Sequence, residues 1–239
     1  MKSFLISSER ETARKANVDL LLSQLPDTEI VDSVYPDHQH IPFLNKIKTF
    51  SKQRTGHALL NGEIGCLLSH RKAWQKIVAE KNEHEFYLIL ESDSIINDLP
   101  YLLNIVNNKI SIYKSKAFIF FFGAWLGHMK LYRSSSQAID ENYTIGEPFI
   151  KTVYCSYGYG INRQAAEYLL QQTKIVAYPV DQFKRIIDPA KISILGVQPE
   201  IIGTAELGSY INQSSIRIWQ RKFIMNLLDM KNNFICYFK

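Results

Sequence analysis

Two rhythms of apolar residues divide the chain. Phe4-Leu5-Ile6 is a short unbroken apolar run, the mark of a strand buried on both faces. Val18, Leu21, Leu22 and Leu25 then recur at helical spacing, with Pro26 closing the segment. Ser8 and Glu11 read as an S-x-x-E capping box that would start this helix. Residues 36–55 are polar, carry His38, His40 and two prolines, and read as a long loop. A second helix opens at Gly62, with Ile64, Leu67, Leu68, Trp74, Ile77 and Val78 on its apolar face. Residues 86–90 form a second buried strand that stops abruptly at Glu91-Ser92-Asp93. A short helix over 100–106 follows, then a third buried strand over 117–122 and a polar loop over 133–143. Residues 153–161 are strand-like and rich in Tyr and Gly. Asn162 caps a helix carrying Ala165, Ala166, Leu169 and Leu170; Asp181 caps another carrying Phe183, Ile186 and Ile187. One more strand over 192–197 precedes a closing amphipathic helix.

Strands alternating with helices predict an α/β fold around a largely parallel sheet. With 239 residues, no internal repeat and no low-complexity linker, one domain over 1–215 and a C-terminal helical extension over 216–239 are expected. Residues 117–122 are the longest apolar run, far short of the roughly 20 needed to span a membrane. The N-terminus carries no signal-peptide pattern. Three scattered cysteines, Cys66, Cys155 and Cys236, argue against a disulfide framework or structural zinc and point to a reducing cytoplasm. Net charge is +5, and residues 216–239 alone carry five basic residues against one acid. The body is therefore near neutral, which argues against a nucleic-acid partner. The basic tail changes the picture differently. Ile216, Trp219, Phe223, Leu227 and Leu228 would form one apolar face beside Arg217, Arg221, Lys222 and Lys231, as on a helix lying on an anionic membrane surface. The same face would equally serve as packing against the domain.

Candidate chemistry sits in four segments. Tyr87-Leu88-Ile89-Leu90-Glu91-Ser92-Asp93 delivers two carboxylates to the carboxyl end of a buried strand, where open sheets bind ligands. Such oxygen ligands suit Mg²⁺ or Mn²⁺ held against substrate phosphates, though acids also end strands in solvent without function. Gly62-Glu63-Ile64-Gly65-Cys66-Leu67-Leu68-Ser69-His70 is by itself an ordinary helix start. Tyr157-Gly158-Tyr159-Gly160 would let a ligand approach the backbone and pack on rings, or would be a twisted strand. Tyr178-Pro179-Val180-Asp181 offers a carboxylate that is either a base or a helix cap.

In this order, the four segments resemble glycosyltransferase family 25, which includes bacterial lipooligosaccharide galactosyltransferases. The opening strand followed by Arg10 and Arg14 is also similar. The resemblance spans roughly residues 1–200. It implies a GT-A fold, a Rossmann-like central sheet flanked by helices, and inverting transfer of a hexose, most commonly galactose, from a UDP-sugar. The implied acceptor is a lipid-linked lipopolysaccharide glycan, which would place the enzyme in the cytoplasm, peripheral to the inner membrane. Glu91, Ser92 and Asp93 fall on the family's acidic triplet, with Ser92 where Asp is usual. Asp93 then holds the divalent metal with Glu91, while Ser7, Arg10, Arg14, Ser69, His70, Glu91, Ser92, Tyr157 and Tyr159 contact the donor. Asp181 is the leading base and Glu63 the second. Two other readings are open: a GT-A scaffold without turnover, and a metal-dependent phosphohydrolase using the same carboxylates.

Overall fold

In a computed structural model the first apolar run becomes β1 (Lys2–Ser7), followed by one 3-10 turn (Thr12–Arg14) and α1 (Lys15–Gln24). Next come β2 (Thr28–Asp32), α2 (Leu44–Thr55), α3 (Asn61–Ala79), β3 (Tyr87–Glu91), β4 (Ser94–Ile96), α4 (Leu99–Asn108) and β5 (Phe118–Phe121). The remainder is β6 (Gln137–Ala138), β7 (Thr144–Gly146), β8 (Gly158–Ile161), α5 (Arg163–Gln172), α6 (Phe183–Ile186), β9 (Ser193–Gln198), β10 (Ile202–Thr204) and α7 (Arg217–Phe238). The structure describes residues 1–81, 86–108, 116–124, 127–205 and 217–238, with the backbone alone from 217 to 227.

Eight strands form one sheet in the order β2-β1-β3-β8-β5-β9-β7-β6. Only β8 and β7 oppose the common direction, so the sheet is mostly parallel. Alternation along its strands sorts the core. Phe4, Ile6, Tyr87, Ile89, Ile119 and Phe121 face one side with α3 and α5. Leu5, Leu88, Leu90, Phe118 and Phe120 face the other with α1 and α4. Both faces are covered, which is why these strands read as unbroken apolar runs. β1 lies between β2 and β3, so the chain departs from it in both directions and a crevice opens at the strand ends.

Several expectations are corrected. The capping box fails: Glu11 precedes the 3-10 turn with no side-chain cap, and its carboxylate is buried against Ser33 and Tyr35 instead. The stretch 36–55 is a loop only to residue 43; α2 fills the rest, its lysines solvated and its end made by Gly56 at φ 83°. Asp181 does not cap α6, whose N-cap is Gln182. The loop over 133–143 contains a 3-10 turn and β6, and β8 is shorter than the strand read over 153–161. Asn162 does cap α5, its Oδ1 accepting from Ala165 N at 2.9 Å. No described helix is long and apolar enough to cross a membrane.

Candidate active site

The crevice at the ends of β1 and β3 is a cavity of about 500 Å³. β3 hands over to β4 through Ser92 and Asp93, and this tight turn is held from outside: Asn17 Nδ2 donates to the carbonyls of Ser92 and Ser94. Arg14, 7% exposed, reaches in from the turn before α1. Its guanidinium donates to Ser92 Oγ at 2.9 Å and pairs with Asp93 Oδ2 at 2.9 Å. Ser92 is thus buried and turned to Arg14. Burial, then the charge of Glu91, push the Asp93 carboxyl up to about 6, against the opposing pull of Arg14. Asp93 Oδ1 and Glu11 Oε2 are buried carboxylate oxygens without a hydrogen-bond partner among the described residues, and both residues line this cavity.

Glu91 is fixed from behind by a chain of hydrogen bonds that a His70 protonated at Nε2 satisfies throughout. Trp74 Nε1 can only donate, and it donates to Tyr159 Oη at 2.8 Å. The Tyr159 hydroxyl then satisfies its own proton by donating to His70 Nδ1 at 2.8 Å. His70 Nε2 in turn carries the proton and donates to Glu91 Oε1 at 3.1 Å. Ser156 Oγ donates to the same oxygen at 2.5 Å. Cys155 places that serine by adopting the left-handed region, φ 67°. Burial alone would raise Glu91, but the bonds from His70 and Ser156 and the charge of Arg14 hold it below the usual carboxylate range.

Cys66, His70 and Glu91 bring their ligand atoms within 4.8 Å of one another. His70 Nε2 is already engaged with Glu91 Oε1, so a cation held by these three would have to displace that bond. Burial, reinforced by the charges of Glu91 and Asp181, pushes the Cys66 thiol well up.

The cavity therefore gathers Arg10, Arg14, Glu91, Ser92 and Asp93 as the sequence suggests. Ser69 and His70 border it yet are 2% and 0% exposed; accessible surface, which decides what a ligand can touch, makes them support. Ser69 pins the segment after β2, accepting from Val34 N at 2.8 Å. Beside it, Gly65 lies where a Cβ would strike the Val34 carbonyl, which accounts for the second glycine of Gly62-Glu63-Ile64-Gly65. Ser7 lines a neighbouring groove of about 1000 Å³ between α1 and β2; that groove is larger but holds neither Glu91 nor Asp93.

Tyr157 and Tyr159 are buried in different clusters. Tyr157 Oη donates to Glu200 at 3.1 Å, and Gly160 makes room for the Phe86 ring rather than for a ligand. Glu63 Oε2 accepts from Leu60 N at 2.7 Å and so tends the start of α3. Asp181 is exposed at its tip but crowded by protein. That crowding, then the charges of Glu63 and Glu91, push it up to about 6. Water reaches the group, so screening is strong and no stability energy follows from the shift. Glu11, Ser33, Tyr35, Asn17 and Ser156 belong to the site or its support without a signal of that role in spacing, and Trp74 shows in the sequence only as an apolar position of α3. Only the S-x-x-E pattern drew attention to Glu11, and for the wrong reason.

A family model described as glycosyltransferase family 25 (LPS biosynthesis protein) matches residues 1–184. No curated protein matches the chain. Among solved structures, the chain is similar to one described as mannose-1-phosphate geranyltransferase from Thermus thermophilus. Identity is 11%, coverage 82% of this chain and 74% of the other, and TM-score 0.40. It is also similar to the galactosyltransferase LgtC in complex with donor and acceptor sugar analogues, at 13% identity, 81% and 73% coverage and TM-score 0.31.

Proposed function

The chain belongs to glycosyltransferase family 25, and from that premise we propose that it moves a hexose, galactose, from a UDP-sugar to a lipopolysaccharide glycan with inversion. The observation that carries this reading is Asp93. A buried strand presents it at the switch point of the sheet, paired with Arg14 and with one oxygen unpartnered. An unpartnered buried carboxylate oxygen is what a hard divalent cation needs, so Asp93 fits Mn²⁺ or Mg²⁺, with Glu91 two residues away as the second ligand. When bound, such an ion relieves charge on the departing diphosphate.

The rest of the chemistry falls to side chains. Arg14 and Arg10 supply fixed positive charge for the diphosphate at the strand ends. Glu91, kept ionised by His70 and Ser156, orients the donor or shares the cation. Asp181 takes the proton from the acceptor hydroxyl as the anomeric bond forms. Raised to about 6, it is still ionised at neutral pH and matched to that task. Glu63 is the weaker base candidate, because its carboxylate is already engaged at Leu60.

The test is titration calorimetry with UDP, with and without Mn²⁺, followed by a radiolabelled sugar-nucleotide screen on truncated glycolipid acceptors. Metal-dependent UDP binding and transfer of label from UDP-galactose support the reading. Metal-dependent UDP binding without transfer to any acceptor would favour the scaffold. Release of inorganic phosphate from phosphomonoesters would favour the hydrolase.

A further inference from the structure

A second cavity, of about 420 Å³, lies on the far side of the first turn of α3 from the strand-end crevice. Gly62 and Cys66 line the crevice, whereas Glu63 lines this cavity, so that turn is the wall between them. Asp181 feels the charges of Glu63 and Glu91, and its neighbour Gln182 lines the second cavity. Arg54 and His57 enter from the end of α2, and Arg185 enters from α6. Among the described residues neither guanidinium has an ion pair or hydrogen bond; Arg185 only lies over the Tyr178 ring, 5.9 Å from its centroid. The one acid in the lining, Glu63, is occupied at Leu60 N. Two fixed positive charges therefore converge on a cavity that contains no free counter-charge among the described residues.

We propose that this cavity is the acceptor subsite and that Arg54 and Arg185 recognise an anionic group, a phosphate or a carboxylate, on the acceptor glycan. The inference rests on the glycosyltransferase reading. Guanidinium forks match both groups bidentately. A wholly neutral sugar would leave both forks unanswered. Arg54 has a plainer role available, since a cation in the last turn of α2 suits the helix dipole. That role would show in the melting temperature and leave acceptor affinity alone.

The experiment compares the full chain with Arg54→Ala/Arg185→Ala and Arg54→Lys/Arg185→Lys. Three acceptors are used: deacylated lipopolysaccharide core oligosaccharide, the same glycan after phosphatase, and the same glycan with its carboxyls reduced. The alanine pair is expected to raise acceptor KM at least about tenfold on the untreated glycan. Donor KM should move less than about twofold, and the lysine pair should fall between. Loss of affinity in the wild type after phosphatase identifies phosphate as the group; loss after carboxyl reduction identifies carboxylate. Calorimetric titration of the same glycans without donor reads binding even where no transfer occurs. Binding that depends on the arginines, without transfer, removes the function and keeps the site. Transfer with an unchanged acceptor KM in the alanine pair, or an equal loss on all three glycans, overturns the site and keeps the function. Neither binding nor transfer of any of the three glycans overturns both.

Discussion

Asp93 and Asp181 carry the sharpest consequences at the scale of single residues. Asp93→Ala is expected to stay folded and to lose metal-dependent UDP binding by at least about a hundredfold, because it deletes the proposed cation ligand. Circular dichroism and calorimetry check this, and near-normal binding in a folded variant would remove the assignment. For Asp181→Asn we expect kcat to fall more than tenfold with donor KM unchanged, as loss of a base does. In the wild type, kcat should fall about tenfold per pH unit below about 6, where Asp181 protonates. In Asp181→Asn the limb that remains below about 6 should be that of Asp93, read in metal-dependent UDP binding as well as in kcat. The sign for stability is opposite to the usual paired carboxylate. A raised carboxyl favours the fold below its unfolded pKa, and that contribution is lost as pH rises through about 6. The Asn variant should therefore melt no lower than wild type at pH 8. At this scale the sequence was legible where a residue ends a strand, as Glu91 and Asp93 do, because the apolar run points at them. It was illegible for Glu11, Asn17 and Ser156, whose partners lie 22 to 77 residues away and follow no period.

At the scale of elements, the tie between β8 and α3 does more than pack. Tyr159 links Trp74 and His70, both on α3, and through them sets Glu91 at the end of β3. Tyr159→Phe is expected to cost roughly 1–3 kcal/mol, since it strands a buried indole N–H and a ring nitrogen. Urea unfolding measures that cost. Tyr159→Phe should also loosen donor binding although the residue itself is out of reach of the donor. α3 was legible because its buried residues recur at helical spacing, and the apolar strands because both their faces are buried. α2 was not, since its apolar residues are outnumbered by lysines and polar groups. Nor were β4, β6 and β10, which are two or three residues long and exist only through their partners. Tyr157-Gly158-Tyr159-Gly160 was legible as strand and misread as lining, because a glycine yielding to an aromatic side chain looks the same in sequence as one yielding to a ligand.

At the scale of the whole molecule, the basic tail remains the open surface. The side chains of Ile216, Trp219, Phe223 and Leu227 lie outside the described residues. Of the rest of α7, Asp229 bonds His128 at 2.5 Å, Tyr237 lies under Arg133 and Cys236 is buried, so the helix touches the body. Met230, Phe234 and Phe238 are exposed at 71%, 66% and 73%. Such large apolar exposure beside Lys231 suits an interface with anionic lipid. We expect anionic liposomes to sediment the full chain at low salt and release it at high salt, and chain lacking residues 216–239 to stay in solution. A folded full chain that ignores anionic liposomes at low salt would mean that this face has another purpose.

β8 has a further consequence, for the order in which the protein can be made. It is the one strand joining β3 to β5, so the sheet consists of two halves with no ladder between them until residues 158–161 arrive. A ribosome that has released only the first 150 residues has already exposed one edge of β3 and both edges of β5, almost wholly apolar strands. These would be open to pairing with another chain. Closing the gap is the work of a four-residue strand with glycine at two positions, Gly158 and Gly160. Synthesis that pauses before residue 158 should thus lose more chain to aggregation than a pause after α5, when only the edges awaiting β9 are left open.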